Sequence, residues 1–245
     1  MSAFDKHKIQ HLSASCINTW IDNQAIWSLK YLARVKDDAG PKAWRGTATE
    51  FGLKSLLFGA TIEEATALAL VEFDKLCLGE ISDDITKQRG LIPDFVAQAN
   101  QWQLANKFEL AATQLFIETW IPGISIPFHG YIDFTFMNAP DTDLKTTERL
   151  ELKRDHVRQI AIYNQGRGTA QSLLYVTPKK YQHFVIPEDE LASALKEVRS
   201  AALSLERFLD RVDDAQDALH LLPLNTDHWK MNETLIEAHA QLLGA

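Results

Sequence analysis

The chain has 245 residues, of which 46% are hydrophobic and 24% charged, with a formal net charge of −8. That length buries a sizeable core. The acidic balance argues against a protein that coats nucleic acid, while leaving room for an enzyme that grips it through a local basic groove.

The two cysteines, Cys16 and Cys77, form no C-x-x-C pair, so neither a cysteine-built metal site nor a disulfide framework is suggested. Each sits in a helical pattern and reads as a small buried apolar residue. The opening M-S-A-F-D-K-H-K has no apolar signal core and no run of eighteen apolar residues exists, so a cytoplasmic protein without a membrane partner is expected.

Residues 12–33 open on L-S-A-S, where Ser13 or Ser15 caps a helix, and Ile17, Trp20, Ile21, Ile26, Trp27, Leu29 and Leu32 follow at helical spacing. Asn23-Gln24 interrupts the apolar face. The polar loop V-K-D-D-A-G-P-K leads to a second helix, A-W-R-G-T-A-T-E-F-G-L-K-S-L-L-F, in which Gly46 and Glu50 share one face. By periodicity alone Gly46 is a close-packing position and Glu50 a solvated charge. Thr61 caps the helix E-E-A-T-A-L-A-L-V-E-F-D-K-L, residues 79–91 read as a loop around Gly79 and Gly90, and a further helix is expected over about 93–110.

From about residue 112 the texture turns to strand. T-Q-L-F-I-E-T-W-I, a P-G turn and the mostly alternating I-S-I-P-F-H-G-Y-I-D-F-T-F form a hairpin. N-A-P-D-T turns into a short third strand, D-L-K-T-T. Helical spacing returns over 153–165, two strands follow as A-Q-S-L-L-Y-V-T and Y-Q-H-F-V-I, and the tail from Glu188 is one long and two shorter helices. The expected architecture is α/β: a central mixed β-sheet flanked by helices, with helical N- and C-terminal additions. No linker divides it, so one domain is expected over 1–245, with a helical part at about 10–110, a sheet core at about 111–187 and terminal helices at about 188–245.

The chemistry gathers between Gly130 and Tyr163. Asp133 closes the run F-H-G-Y-I-D-F, and ten residues later Asp143 and Lys145 stand two apart, on one side of an extended strand. Hydrolysis of a phosphodiester needs a hard cation held by oxygens, because the transition state collects charge on phosphoryl oxygens. Asp133 and Asp143 suit Mg²⁺ or Mn²⁺, Glu50 adds a third carboxylate, the Leu144 carbonyl a backbone oxygen, and Lys145 an ammonium to orient or activate water.

A hairpin with a surface salt bridge explains the same residues more plainly. Glu151-Leu152-Lys153 repeats the acid-x-Lys form. Asp143/Lys145 is preferred because threonines follow it and fourteen residues separate Lys145 from Gln159, against six from Lys153.

Taken together, L-S-A-S-C-I-N-T-W, G-T-A-T-E (Gly46 to Glu50), G-Y-I-D (Asp133), D-L-K-T-T (Asp143, Lys145) and Q-I-A-I-Y (Gln159, Tyr163) resemble, in order and spacing, the PD-(D/E)xK nuclease superfamily in its RecB-like exonuclease branch. The resemblance covers roughly residues 10–190. It implies a restriction-endonuclease-like core and a metal-dependent DNA exonuclease of recombination, repair or phage DNA processing. Glu50, Asp133, Asp143 and the Leu144 carbonyl would be metal ligands, with Lys145 catalytic beside Asp143 and Asp133. Gln159 and Tyr163 would position DNA or the bound phosphate. Glu50 stands where helicase-linked members carry histidine, and two cysteines cannot build the four-cysteine iron–sulfur cluster of other relatives.

The implied form is a free-standing nuclease of the size of phage recombination exonucleases. Its partner is DNA, with a recombination or single-strand annealing protein and a homo-oligomer left open by analogy. Arg154, Arg158 and His156 are phosphate-binding candidates, in a basic group with Lys153, Arg167, Lys179 and Lys180, each of which also reads as a solvated charge. Trp20, Trp27 and Trp44 read as core rather than base-stacking residues. The alternative function is a catalytically inactive DNA-binding or protein-interaction module on the same fold.

Overall fold

The computed structural model describes residues 2–36 and 39–244. Asp37 and Asp38, in the expected polar loop, lie outside the described residues. The elements are α1 (Ala3–Lys6), α2 (Ala14–Asp22), α3 (Gln24–Trp27) continuing as a π-helical stretch Ser28–Leu32, α4 (Pro41–Leu57), α5 (Ile62–Leu76) and α6 (Asp83–Asn106). There follow β1 (Leu110–Thr119), β2 (Phe128–Phe136), β3 (Asp141–Thr146), α7 (Arg154–Arg167), β4 (Gln171–Val176), β5 (Tyr181–Val185), α8 (Glu188–Arg211), α9 (Ala215–Leu221) and α10 (Glu233–Leu243).

The strands form one sheet in the order β1-β2-β3-β4-β5. It is mixed: β3 and β4 run parallel, joined through α7, and the other neighbours are antiparallel. A parallel pair needs a crossover, and α7 supplies it. Successive residues of β4 split between the two faces of the sheet. Leu173 and Tyr175 pack with Val157, Ile160, Val198 and Leu205 of α7 and α8. Leu174 and Val176 pack with Leu53, Phe95 and Trp102 of α4 and α6. A third cluster joins α4, α5 and α6 around Ala48, Phe73 and Ile92.

Local chemistry explains the helix boundaries. Ser13 accepts from the Cys16 amide at the start of α2, and Asn23 both ends α2 and caps α3 by accepting from Ile26 N. Thr61 and Glu64 form a reciprocal capping box on α5. Both cysteines are buried and unpaired. Among the described residues no helix is long and apolar enough to cross a membrane.

Two expectations need correction. The loop expected over 79–91 is helical from Asp83 onward, because Ser82 caps α6 by accepting from Ile85 N. α6 then runs through Gly90 and Pro93. An interior proline costs about 3 kcal/mol. Full burial of Ile92, Phe95, Val96, Ala99 and Trp102 outweighs it. The second correction concerns I-S-I-P, which is not strand: β2 begins at Phe128. Ile124 and Ile126 instead anchor the connection into the core beneath α8.

Candidate active site

α4 crosses β3 so closely at Gly46 that a Cβ there would lie 3.3 Å from Thr146 Oγ1. One turn further along, Glu50 comes to the edge of the sheet. Its Oε1 accepts from Gln114 Nε2 at 2.5 Å, and the same nitrogen donates to Asp133 Oδ1 at 3.2 Å. Asp133 Oδ2 accepts from the Leu144 N–H at 2.8 Å, which ties β2 to β3 beside the acidic pair.

On β3, Asp143 is 2% exposed, and its Oδ2 lies 2.5 Å from Lys145 Nζ. The two are an ion pair by distance, yet Oδ2 lacks a partner in hydrogen-bond geometry. Asp143 Oδ1 accepts from Gln159 Nε2 at 3.1 Å, and that amide also donates to the Tyr163 hydroxyl at 2.7 Å. Tyr163 presses so near β2 that a Cβ on Gly130 would come within 2.6 Å of its ring, so only glycine fits there. The structure thus brings together Glu50, Asp133, Asp143, Lys145, Gln159 and Tyr163. Glu151 and Lys153 lie in the connection before α7, outside any strand.

The electrostatics follow from burial and crowding. Burial, then the Asp143 and Glu50 charges, hold the Asp133 carboxyl well above the usual carboxylate range. Burial likewise raises Glu50, against the hydrogen bond from Gln114. For Lys145, burial opposes the charge, but the Asp143 and Asp133 carboxylates outweigh it and hold the ammonium above the ordinary lysine value. Tyr163 is raised by burial and by Asp143. Carboxylates that resist ionising together around a single ammonium mark a place short of positive charge.

Oxygen donors of this type, one of them buried without a hydrogen bond, fit a hard divalent cation. As placed, each carboxylate is turned toward a protein donor. Among the described residues, no three acidic, histidine or cysteine side chains are gathered to grip an ion. Gripping one therefore requires Gln114 and Lys145 to give up part of their hold on the carboxylates.

Gln114 is a residue of the site that its sequence context does not announce. It stands between the Thr113–Phe134 and Leu115–Ile132 pairs, hence across from Asp133. Its φ of +51° is a left-handed conformation rare for glutamine. A lone polar residue in T-Q-L-F-I is the available signal, and it becomes legible only once the partner strand is known. Gln114→Glu removes the shared donor and adds a like charge. The variant should melt below wild type in EDTA, and Mg²⁺ or Mn²⁺ should raise its melting temperature by more than it raises wild type's, read by thermal denaturation.

The basic candidates lie elsewhere or are engaged. Arg154 is paired with Glu197 at 2.7 Å and lies 3.6 Å from Glu190, clamping α7 to α8, and Arg158 bonds Glu197 and Asn18, clamping α7 to α8 and α2. Arg167 pairs with the buried Asp141. His156 lines the same cleft as Lys145, with Nδ1 2.5 Å from the Tyr175 hydroxyl. Burial, then the Lys145 charge, lower its pKa from 6.5 to about 4, so it is a neutral imidazole at pH 7.

In the unfolded chain His156 takes up its proton near pH 6.5, before the folded chain does, so folding stability should fall as pH drops from about 6.5 toward 4. His156→Gln should flatten that part of the stability–pH curve, measured by urea denaturation at a series of pH values. His129 stacks on His11 with centroids 4.3 Å apart and meets Glu118 at 3.1 Å, away from metal-ligand geometry.

No protein-family model matches the chain, and no curated protein matches it significantly. Its fold is similar to that of a crystal structure from Eubacterium rectale named as a candidate exonuclease. The identity is 13% over 81% of this chain and 82% of that one, with a TM-score of 0.60. Weaker likenesses are to SSO0001, at 18% identity over 65% and 74% of the two chains and TM-score 0.34, and to LHK-Exo in complex with dAMP, at 14% over 67% and 93% and TM-score 0.37.

Proposed function

We propose that the chain is a divalent-cation-dependent nuclease of the RecB-like PD-(D/E)xK type that hydrolyses phosphodiester bonds of DNA from an end. The observation that carries this reading is the pairing of the buried Asp143 with Lys145 on β3, braced by Gln159 and flanked by Asp133 and Glu50. The similarity in fold to a protein named as a candidate exonuclease supports it.

In this reading Glu50, Asp133, Asp143 and the Leu144 carbonyl hold Mg²⁺ or Mn²⁺. When bound, the cation supplies positive charge against the phosphoryl oxygens. Lys145, whose ammonium the Asp143 and Asp133 carboxylates hold above the ordinary lysine value, would orient the attacking water or donate to the phosphoryl oxygen. Gln159 fixes Asp143 through its side-chain N–H. Tyr163 receives the Gln159 N–H on its oxygen, leaving the phenolic proton to be donated to a phosphate. Recombination, repair or phage DNA processing is the setting that the motif order suggests.

The test is to incubate the protein in Mg²⁺ and Mn²⁺ with labelled linear, nicked and circular DNA of one sequence. Loss of linear DNA with intact closed circles supports attack at ends. Cutting of closed circles at the same rate sinks the exonuclease part of the reading while leaving the hydrolysis.

A further inference from the structure

Lys145, Gln159 and Tyr163 open into a cleft of about 600 Å³ whose far wall comes from outside the core fold. That wall includes Lys30 and Tyr31 from the π-helical stretch, and Trp229 and Lys230 from the connection between α9 and α10. In a chain of net charge −8, three lysines (Lys30, Lys145 and Lys230) face this cleft, and Asp155 is the one carboxylate on its wall among the described residues. Lys145 is paired with Asp143 and Lys230 with Asp22, carboxylates that are not on the cleft wall, so the wall presents ammonium groups to a phosphate-bearing strand.

Trp229 is 79% exposed, whereas Trp20, Trp27 and Trp102 are buried. Exposing an indole forfeits the stabilisation that burial gives it, so an anchored, exposed one invites a use. The connection that carries it is pinned on both sides. Lys230 Nζ lies 2.8 Å and His228 Nε2 3.5 Å from Asp22 Oδ2 at the end of α2. Leu222, Leu224 and Met231 pack against the cluster of Ile26, Leu29 and Leu219. The His228 ring stacks with the indole at 6.0 Å, and Lys230 Nζ lies 4.8 Å from its centroid. Trp229 and Lys230 also border a second cleft, whose wall mixes Lys153, Arg154 and Arg158 with Asp22, Glu151 and Asp155. The indole is therefore a ridge between two clefts, one of which ends at Lys145.

We propose that Trp229 is a stacking platform for an unpaired nucleobase of single-stranded DNA. The strand lies with its phosphates along Lys30 and Lys230 and its next phosphodiester toward Lys145. Every base offers a π face, so this contact holds the strand without reading sequence. The C-terminal helices thereby gain a role, since they carry the platform to the mouth of the cleft. The proposal rests on the nuclease reading and names the strand form that the cleft takes.

The test measures binding in EDTA, where cleavage plays no part, with a labelled single-stranded oligonucleotide and the same oligonucleotide made abasic over its length. Stacking is worth about 1–3 kcal/mol per base, so Trp229→Ala should weaken binding of the normal strand by roughly 5- to 150-fold, while Trp229→Phe keeps most of it. The abasic strand should bind wild type and Trp229→Ala alike. Equal binding of the normal strand by wild type and Trp229→Ala overturns the platform and leaves the nuclease reading intact. Equal weakening for normal and abasic strands, or no rescue by phenylalanine, assigns Trp229 a structural role and overturns the platform as well. Failure of wild type both to bind any strand and to cleave it in Mg²⁺ overturns the nuclease reading and this proposal together.

Discussion

Lys145→Ala should cost the protein both its activity and much of its stability. The activity loss is expected to be at least about 10²- to 10³-fold, the size seen when one preorganised donor to a developing oxyanion is removed. The stability loss follows from what stays behind. Asp143 is 2% exposed and faces Lys145 at 2.5 Å, so truncating the lysine strands a buried carboxylate. Breaking a buried pair in this way costs about 3–5 kcal/mol. The lower end is expected here, because the Lys145 side chain keeps 22% of its exposure and Gln159 still donates to Asp143. Asp143→Asn combined with Lys145→Ala leaves no stranded charge. The pair should regain most of the stability and none of the activity. Urea denaturation and DNA degradation, run on both variants, separate the two effects. A Lys145→Ala protein with wild-type rate and stability would remove the lysine from the account.

Asp133→Asn should act in the opposite direction on stability. In metal-free protein, burial and the neighbouring Asp143 and Glu50 charges disfavour an ionised Asp133. An asparagine keeps an oxygen for the Leu144 N–H, now 2.8 Å from Asp133 Oδ2, and removes the repulsion. It also sets an amide against the Gln114 donor, so the gain is partial. The variant should melt in EDTA at or above the wild-type temperature, with DNA degradation reduced at least about 10²-fold. A divalent cation that binds the native state raises the wild-type melting temperature, and this rise should vanish in Asp133→Asn. A variant less stable than wild type in EDTA would show that Asp133 holds the hairpin rather than a cation.

The expected residues and the found ones differ in how local their signals are. Asp143 and Lys145 were legible because a two-residue strand period sets them on one side, and Ser13, Thr61 and the P-G turn marked their boundaries by short-range chemistry. Gly90 and Pro93 are local breakers, and α6 runs through them because its apolar face is buried against α4, α5 and the sheet. Glu50 is ordinary by periodicity. What places it is the contact of Gly46 with Thr146, about a hundred residues away in sequence. Gln114 depends on a strand register and a left-handed backbone angle that no window of sequence displays. For Arg154 and Arg158 the sequence shows the charge and not the acidic partner, Glu197, which sits on a helix some forty residues later. Trp229 belongs to a segment that no motif covers, and only the fold brings it to the cleft.

The central claim is that these carboxylates and Lys145 hydrolyse DNA with a divalent cation. The most direct measurement follows release of nucleotides from 5′- and 3′-labelled linear DNA by wild type and Asp143→Asn, each in Mg²⁺, in Mn²⁺ and in EDTA. Wild type should release nucleotides in either metal and none in EDTA, and Asp143→Asn should release none under any condition. Equal release by both proteins, or none by wild type in either metal, would contradict it.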